Sequence, residues 1–186
     1  RNIAMHIERH VLDKPKDWQP LVYCWRGGQR SGSLALVLSK IGFRVQVLEG
    51  GYQAYRRAVM KALEEQPLAL RFRAICGRTG SGKSRLLAAL QAQGAQVLDL
   101  EGLANHRGSV LGLVPGSPQP TQKQFDSRLW DVMRRFDPAR PVWVESESRK
   151  VGELRVPERL IECMRASPCV HIQLPVDARV SLLMED

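Results

Sequence analysis

Cysteine is scarce and scattered in this sequence. The four present, Cys24, Cys76, Cys163 and Cys169, form no Cys-x-x-Cys pair and join no closely spaced histidine, so the zinc-binding patterns are absent and no metal centre is expected. All four are read as free thiols in a reducing, cytoplasmic setting. No apolar run approaches the ~20 residues that cross a bilayer, and no secretory leader is visible, so no membrane association is expected. Internal repeats and low-complexity tracts are also missing, which argues against solenoids and flexible linkers. Acidic residues are in deficit: 19 Asp and Glu against 28 Lys and Arg leave a net charge of +9. The surplus is spread along the chain. It fits a polyanionic partner such as nucleic acid, and equally a solvated basic surface.

What is present describes a globular α/β chain. Its 186 residues, 44% of them apolar, suffice for one large or two small cores. Arg1 at the start and the closing Met184, Glu185 and Asp186, which carry no stop signal, read as the cut ends of something longer. A short apolar run ending at Cys24 predicts a strand, and residues 34–38 predict a helix that Gly42 stops. Residues 45–48 predict a second strand, Gly50 and Gly51 a turn, and residues 52–65 another helix. This βαβα order requires a parallel sheet.

Gln66 and Pro67 punctuate the chain, and the alternation restarts. It runs as a strand at 70–76, a glycine loop, a helix at 84–93 stopped by Gly94, and a strand at 96–100. A long loop rich in Gly, Pro and Ser follows over 103–121. Then come a helix at 122–136, a strand at 142–145, a helix at 157–166, a strand at 170–174 and a helix from Val176. The expected division is residues 1–66 and 67–186.

Two loops carry chemistry. Cys24 ends a strand and is followed by Gly27 and Gly28 before a helix opens. Successive backbone N–H groups and the positive end of a helix can there converge on the sulfur, stabilise thiolate and hold an anion beside it. Consecutive glycines are costly unless the backbone needs unusual dihedrals or close approach to a ligand. Arg30 completes a Cys-x5-Arg spacing that can close an anion cradle, and Arg26 adds a second positive group. The segment resembles the active-site loop of rhodanese-family sulfurtransferases, although its spacing equals that of the related cysteine phosphatases. Chalcogen transfer and phosphate-ester hydrolysis both stay open.

The second loop, residues 77–84, matches G-x-x-x-x-G-K-[ST] in full between a predicted strand and a predicted helix. Gly77, Thr79, Gly80, Ser81 and Gly82 would wrap phosphate with backbone N–H groups. Lys83 would reach the terminal oxygens, and the Ser84 hydroxyl could ligate Mg²⁺. Nucleotide hydrolases usually place an aspartate at the end of a neighbouring strand. Here the best such strand ends in Glu145, and Asp99 is the alternative acid. The ligand could be a nucleotide or another diphosphate.

Together these loops resemble the tRNA 2-selenouridine synthase family, in which a rhodanese domain precedes a P-loop domain. The resemblance runs through Val22, Tyr23, Cys24, Trp25, Arg26, Gly27 and Gly28, then Glu49, Gly50, Gly51, Tyr52, Tyr55 and Arg56. After the phosphate loop it continues through Leu98, Asp99, Leu100 and Glu101, Asn105, His106, Arg107 and Gly108, residues 120–123, and residues 144–149. The implied fold is a partial rhodanese-like parallel-sheet domain followed by a P-loop NTPase-like α/β domain. A rhodanese domain lacking its early strands would expose sheet edges.

The implied activity replaces sulfur by selenium at the 2-position of a wobble uridine in tRNA. Selenophosphate is the implied selenium donor, and a geranylated intermediate is made from geranyl diphosphate. Cys24 would handle selenium, with Gly27, Gly28 and Arg30 orienting the donor. Arg56, Arg57, His106, Arg107, Lys123, Arg149 and Lys150 are the candidates for gripping tRNA, where cations supply much of the affinity, and His106 beside Arg107 and Gly108 is alternatively a substrate-site residue. Three other readings remain: a P-loop kinase or NTPase with a regulatory rhodanese-like segment, a cysteine phosphatase or sulfurtransferase, and an RNA-binding module with inactive motifs.

Overall fold

The computed structural model describes residues 2–26, 28–107, 112, 116–146 and 149–185. Gly27 and, of the residues that carry the resemblance, Gly108, Glu147 and Ser148 lie outside them. The chain divides into two compact units, Arg1–Ala58 and Val59–Asp186.

The first unit comprises α1 (Asn2–His10), β1 (Leu21–Val22), α2 (Gln29–Ile41), β2 (Gln46–Val47) and the start of α3 (Gly51–Ala69). β1 and β2 are parallel, pairing Leu21 with Gln46 and Val22 with Val47, as the βαβ order requires. Val11, Val22 and Leu38 form a small core, with Ile7, Trp18, Leu34, Phe43 and Val45 packed on it. Trp18 meets Phe43 edge to face at 5.5 Å, a favoured aromatic geometry. Leu21 and Val47 remain exposed on the strands. Helix α1 adds to the sequence expectations; Ile3 and Ile7 lie four residues apart on it, and Val11 continues that spacing just past its end.

The unit boundary falls inside α3, and Pro67 does not break that helix as expected. Proline removes a donor and crowds the preceding turn. At Pro67 only the final turn is affected, because α3 ends at Ala69 and the Leu70 N–H closes onto the Pro67 carbonyl at 3.3 Å.

The second unit is built on β3 (Arg71–Cys76), α4 (Lys83–Ala92), β4 (Gln96–Leu98), α5 (Leu100–Ala104), α6 (Gln122–Met133) and β5 (Pro141–Glu145). β6 (Lys150–Val151), β7 (Leu154–Arg155), α7 (Glu158–Arg165), β8 (Cys169–His171) and α8 (Val176–Glu185) complete it. Four parallel strands lie in the order β4-β5-β3-β8. The phosphate-loop strand β3 is therefore internal, with β5 and β8 as neighbours. Ile75, Leu87 and Val97 form a core that Leu90, Trp143 and Ile172 extend.

Three details correct the sequence expectations. β4 ends at Leu98, and Leu100 opens α5 instead of prolonging the strand. Asp99 caps that helix, its Oδ1 accepting the Gly102 N–H at 2.8 Å. A short antiparallel hairpin, β6 with β7, occupies a stretch given no element. Cys76 and Cys169, ninety-three residues apart, form a disulfide between β3 and β8, leaving Cys24 and Cys163 as the free cysteines. Among the described residues no helix is long and apolar enough to cross a membrane.

Side chains from the expected long loop hold this unit together. Asn105, in left-handed conformation, donates from Nδ2 to the Ser117 and Pro118 carbonyls at 2.7 and 3.0 Å. Gln119 donates to the Ala104 and Val151 carbonyls, both at 3.1 Å, and accepts the Glu153 N–H at 2.9 Å. Thr121 caps α6 in a reciprocal capping box with Gln124, which satisfies donors that a helix start otherwise leaves open.

Candidate functional site

In the first unit the nucleophile loop is fixed from both ends. The Cys24 carbonyl accepts the Tyr52 N–H at 2.9 Å, and the Trp25 carbonyl accepts the Gln53 N–H at 3.3 Å. The start of α3 thus spends its open donors on the loop. Gly51, at φ +58°, makes the approach feasible, since a Cβ there would lie 2.2 Å from the Cys24 oxygen. Gly28 is the left-handed N-cap of α2.

At the sulfur, the Cys24 thiol lies 3.3 Å from the Arg26 carbonyl, to which it can donate. The buried Ser31 hydroxyl sits 3.4 Å from Sγ and 3.0 Å from the Gly28 carbonyl. A hydroxyl carries one proton, so these contacts alternate: Ser31 donates to Gly28 beside a neutral thiol and to sulfur beside a thiolate. That hydrogen bond, followed by the backbone N–H groups of Ser31 and Gly28 and the charge of Arg30, holds the Cys24 thiol below its ordinary value. Cys163 contrasts with it, because burial pushes its thiol up. Sequence reasoning misses Ser31; its place directly after Arg30 is the signal that points to it.

In the second unit the phosphate loop leaves β3 and enters α4 with Gly80 and Gly82 at φ +75° and +79°. Lys83 folds back, donating from Nζ to the Gly77 and Arg78 carbonyls at 3.2 and 3.5 Å. Ser84 Oγ donates to Glu145 Oε1 at 2.7 Å. This contact follows from the sheet register, in which Ile75 on β3 faces Glu145 on β5. Glu145 is buried, whereas Asp99 is engaged as a cap. The geometry brings Glu145 to the loop, while Asp99 serves as the cap of α5. The Ser81 hydroxyl is buried with no hydrogen-bond partner among the described residues, an open donor inside a cradle suited to anions.

Helix α8 lies over the same loop. A Cβ on Gly80 would be 2.8 Å from Leu183 Cγ, and one on Gly82 would be 3.7 Å from Leu182 Cδ1. Arg179 Nη1 reaches the Thr79 carbonyl at 3.4 Å. Sequence reasoning did not find Arg179, which lies a hundred residues from its partner.

The residues expected to grip tRNA divide by exposure. Arg57, Arg107, Lys123, Arg149 and Lys150 are exposed, and Arg56 is half-buried. Arg149 pairs with Glu158 at 3.1 Å. His106 is only 8% exposed, and a Cβ on Gly152 would lie 2.8 Å from its ring. Its imidazole is buried beside Gly152.

Residues 70–186 match the family model for a tRNA 2-selenouridine synthase AAA domain, and residues 2–58 match a rhodanese-like domain. A tRNA 2-selenouridine synthase from Marinobacter nauticus is 36% identical over 188 residues, spanning 98% of this chain and 49% of the relative. One from Alcanivorax borkumensis is 36% identical over 185 residues, 96% of this chain and 50% of its own length. One from Aeromonas salmonicida is 34% identical over 98% of this chain and 48% of its own. The chain spans about half the length of the curated relatives it matches. No solved structure matches.

Proposed function

Because the chain belongs to the tRNA 2-selenouridine synthase family, we propose that the protein exchanges sulfur for selenium at the 2-position of a wobble thiouridine in tRNA. The observation that carries this reading is a cysteine held toward thiolate by Ser31 and Arg30, in a chain that also presents a complete phosphate loop. Acting on tRNA implies work in the cytoplasm. Exposed cations such as Arg107, Lys123 and Arg149 would meet the RNA backbone.

The chemistry divides into two displacements. In the first, the thiocarbonyl sulfur attacks the first carbon of geranyl diphosphate, and the carbon–oxygen bond to diphosphate breaks. The phosphate loop suits that leaving group. Its N–H groups and Lys83 would stabilise charge growing on the departing oxygens, and the open Ser81 hydroxyl would find an acceptor. The paired oxygens of Ser84 and Glu145 fit Mg²⁺, which takes few protein ligands when phosphate supplies the rest. When bound, Mg²⁺ would draw negative charge off the diphosphate. In the second displacement, the selenium of selenophosphate attacks C2 of the base, the alkylated sulfur leaves as geranyl thiol, and water cleaves the selenium–phosphorus bond to release phosphate. Cys24 would handle selenium, with Arg30 and the loop N–H groups holding the phosphate of selenophosphate. A nucleotide in the phosphate loop is the second reading, favoured by the Ser84–Glu145 contact.

Nucleoside mass spectrometry tests this directly. Thiouridine-containing tRNA is incubated with the protein, geranyl diphosphate and selenophosphate. The wild type should form selenouridine, and Cys24→Ala should block selenium entry while leaving the geranylated nucleoside. Lys83→Ala should slow geranylation about 100-fold, the scale of losing one transition-state donor. A wild type that leaves thiouridine untouched would refute the proposal and bring nucleotide hydrolysis to the fore.

A further inference from the structure

An aromatic tier adjoins the nucleophile. Trp25, the residue after Cys24, stacks on Tyr52 with ring centroids 5.0 Å apart and planes 22° from parallel. Tyr52 continues to Tyr55 at 6.0 Å, tilted by 42°. The tier does not depend on ring contact alone, because the N–H groups of Tyr52 and Gln53 are bonded to the carbonyls of Cys24 and Trp25. The close approach at Gly51 fixes the same spacing. Trp25 and the cysteine are therefore positioned by one set of contacts.

The position of these rings is unusual for packing. The core of this unit is assembled from Val11, Val22 and Leu38 with their neighbours, and Trp25 is not among them. Trp25 is 50% exposed. Arg26 on the same loop and Arg30 in the first turn of α2 both stand exposed. A large π-face left half in water, rigidly tied to a nucleophile and flanked by cations, has the composition of a surface that stacks bases and neutralises their backbone.

We propose that Trp25, backed by Tyr52, is the platform on which the target nucleobase of the RNA stacks, so that the base lies beside Cys24. This rests on the reading of the chain as an RNA-modifying enzyme and adds to it the element that receives the base. Stacking requires no base-specific hydrogen bond, because every base offers a π-face. Trp25 is a positioning residue and takes no part in bond making.

The test compares two anticodon stem-loop RNAs, one carrying 2-thiouridine at the wobble position and one abasic there, in equilibrium binding to the full chain. The wild type should prefer the base-containing RNA by about 5- to 150-fold, the range of one aromatic–base stack. Trp25→Ala should bind both RNAs alike, and Trp25→Phe should keep most of the preference. Cys24 alkylation at an unchanged rate in Trp25→Ala would show that the loop is intact, a readout that a purely structural role for Trp25 would move. If the wild type discriminates and Trp25→Ala discriminates equally, the platform is refuted while the RNA-modifying reading stands. A wild type that binds both RNAs without preference also refutes the platform, as it would if an alkyl chain and not a base occupied the tier. Failure of the wild type to bind either RNA removes the functional reading and the platform together.

Discussion

Cys24 and Ser31 show how one proton changes what a side chain can do. The Ser31 hydroxyl stands within reach of both sulfur and the Gly28 carbonyl, and its hydrogen bond to sulfur is the largest influence lowering the Cys24 thiol. The sign follows from the charged form: a donor aimed at thiolate favours ionisation, so removing it raises the value. Ser31→Ala should therefore move the midpoint of the pH profile for iodoacetamide alkylation upward and lower the rate at neutral pH. Cys163, pushed the other way by burial, should alkylate more slowly than Cys24 in the same sample and serves as an internal control. An unchanged midpoint in Ser31→Ala would remove Ser31 from the account.

The phosphate loop and α8 form the unit of interest among elements. Gly80 is required twice, once by its positive φ and once by the 2.8 Å approach of Leu183 to any Cβ placed there. Gly80→Ala should weaken inorganic diphosphate binding at least about tenfold, since a side chain at such a backbone angle strains the loop and must also push the Leu183 side chain aside. Leu183→Ala in the same chain relieves only the collision. Partial recovery of diphosphate affinity in the double variant, read by calorimetry, would show that α8 rests on the loop in solution. No recovery would leave the backbone angle as the whole effect. The Arg179 contact to Thr79 lies in the same interface and sets a guanidinium on the phosphate loop.

The whole molecule adds its charge. A net +9 with many exposed arginines predicts RNA binding governed by counterion release, with log affinity falling linearly against log salt. Raising salt from about 50 to 200 mM should weaken tRNA binding at least about tenfold if three or more phosphates are neutralised. A flat salt dependence would mean that the basic surplus is only a solvated surface. The two expectations for the surplus that the sequence left open are thus separable by one titration series.

The sequence by itself determined the two reactive loops and the α/β alternation, because their signals are local. Glycine spacing, a cysteine at a strand end and a lysine at a helix start all act within a few residues of one another. The β1 and β2 strands, the parallel pairing and the phosphate-loop helix were legible for that reason. Contacts between distant residues were decided by the tertiary structure alone. Sheet register brought Glu145 to Ser84 across sixty-one positions, making Glu145 the partner where the sequence weighed it against Asp99. Strand order joined Cys76 to Cys169, against the expectation of free thiols. Packing drew His106 inside, carried α3 through Pro67, and set α8 on the phosphate loop. Each of these depends on which strands are neighbours and on how closely backbones approach, and neither quantity is written in the spacing of residues along the chain.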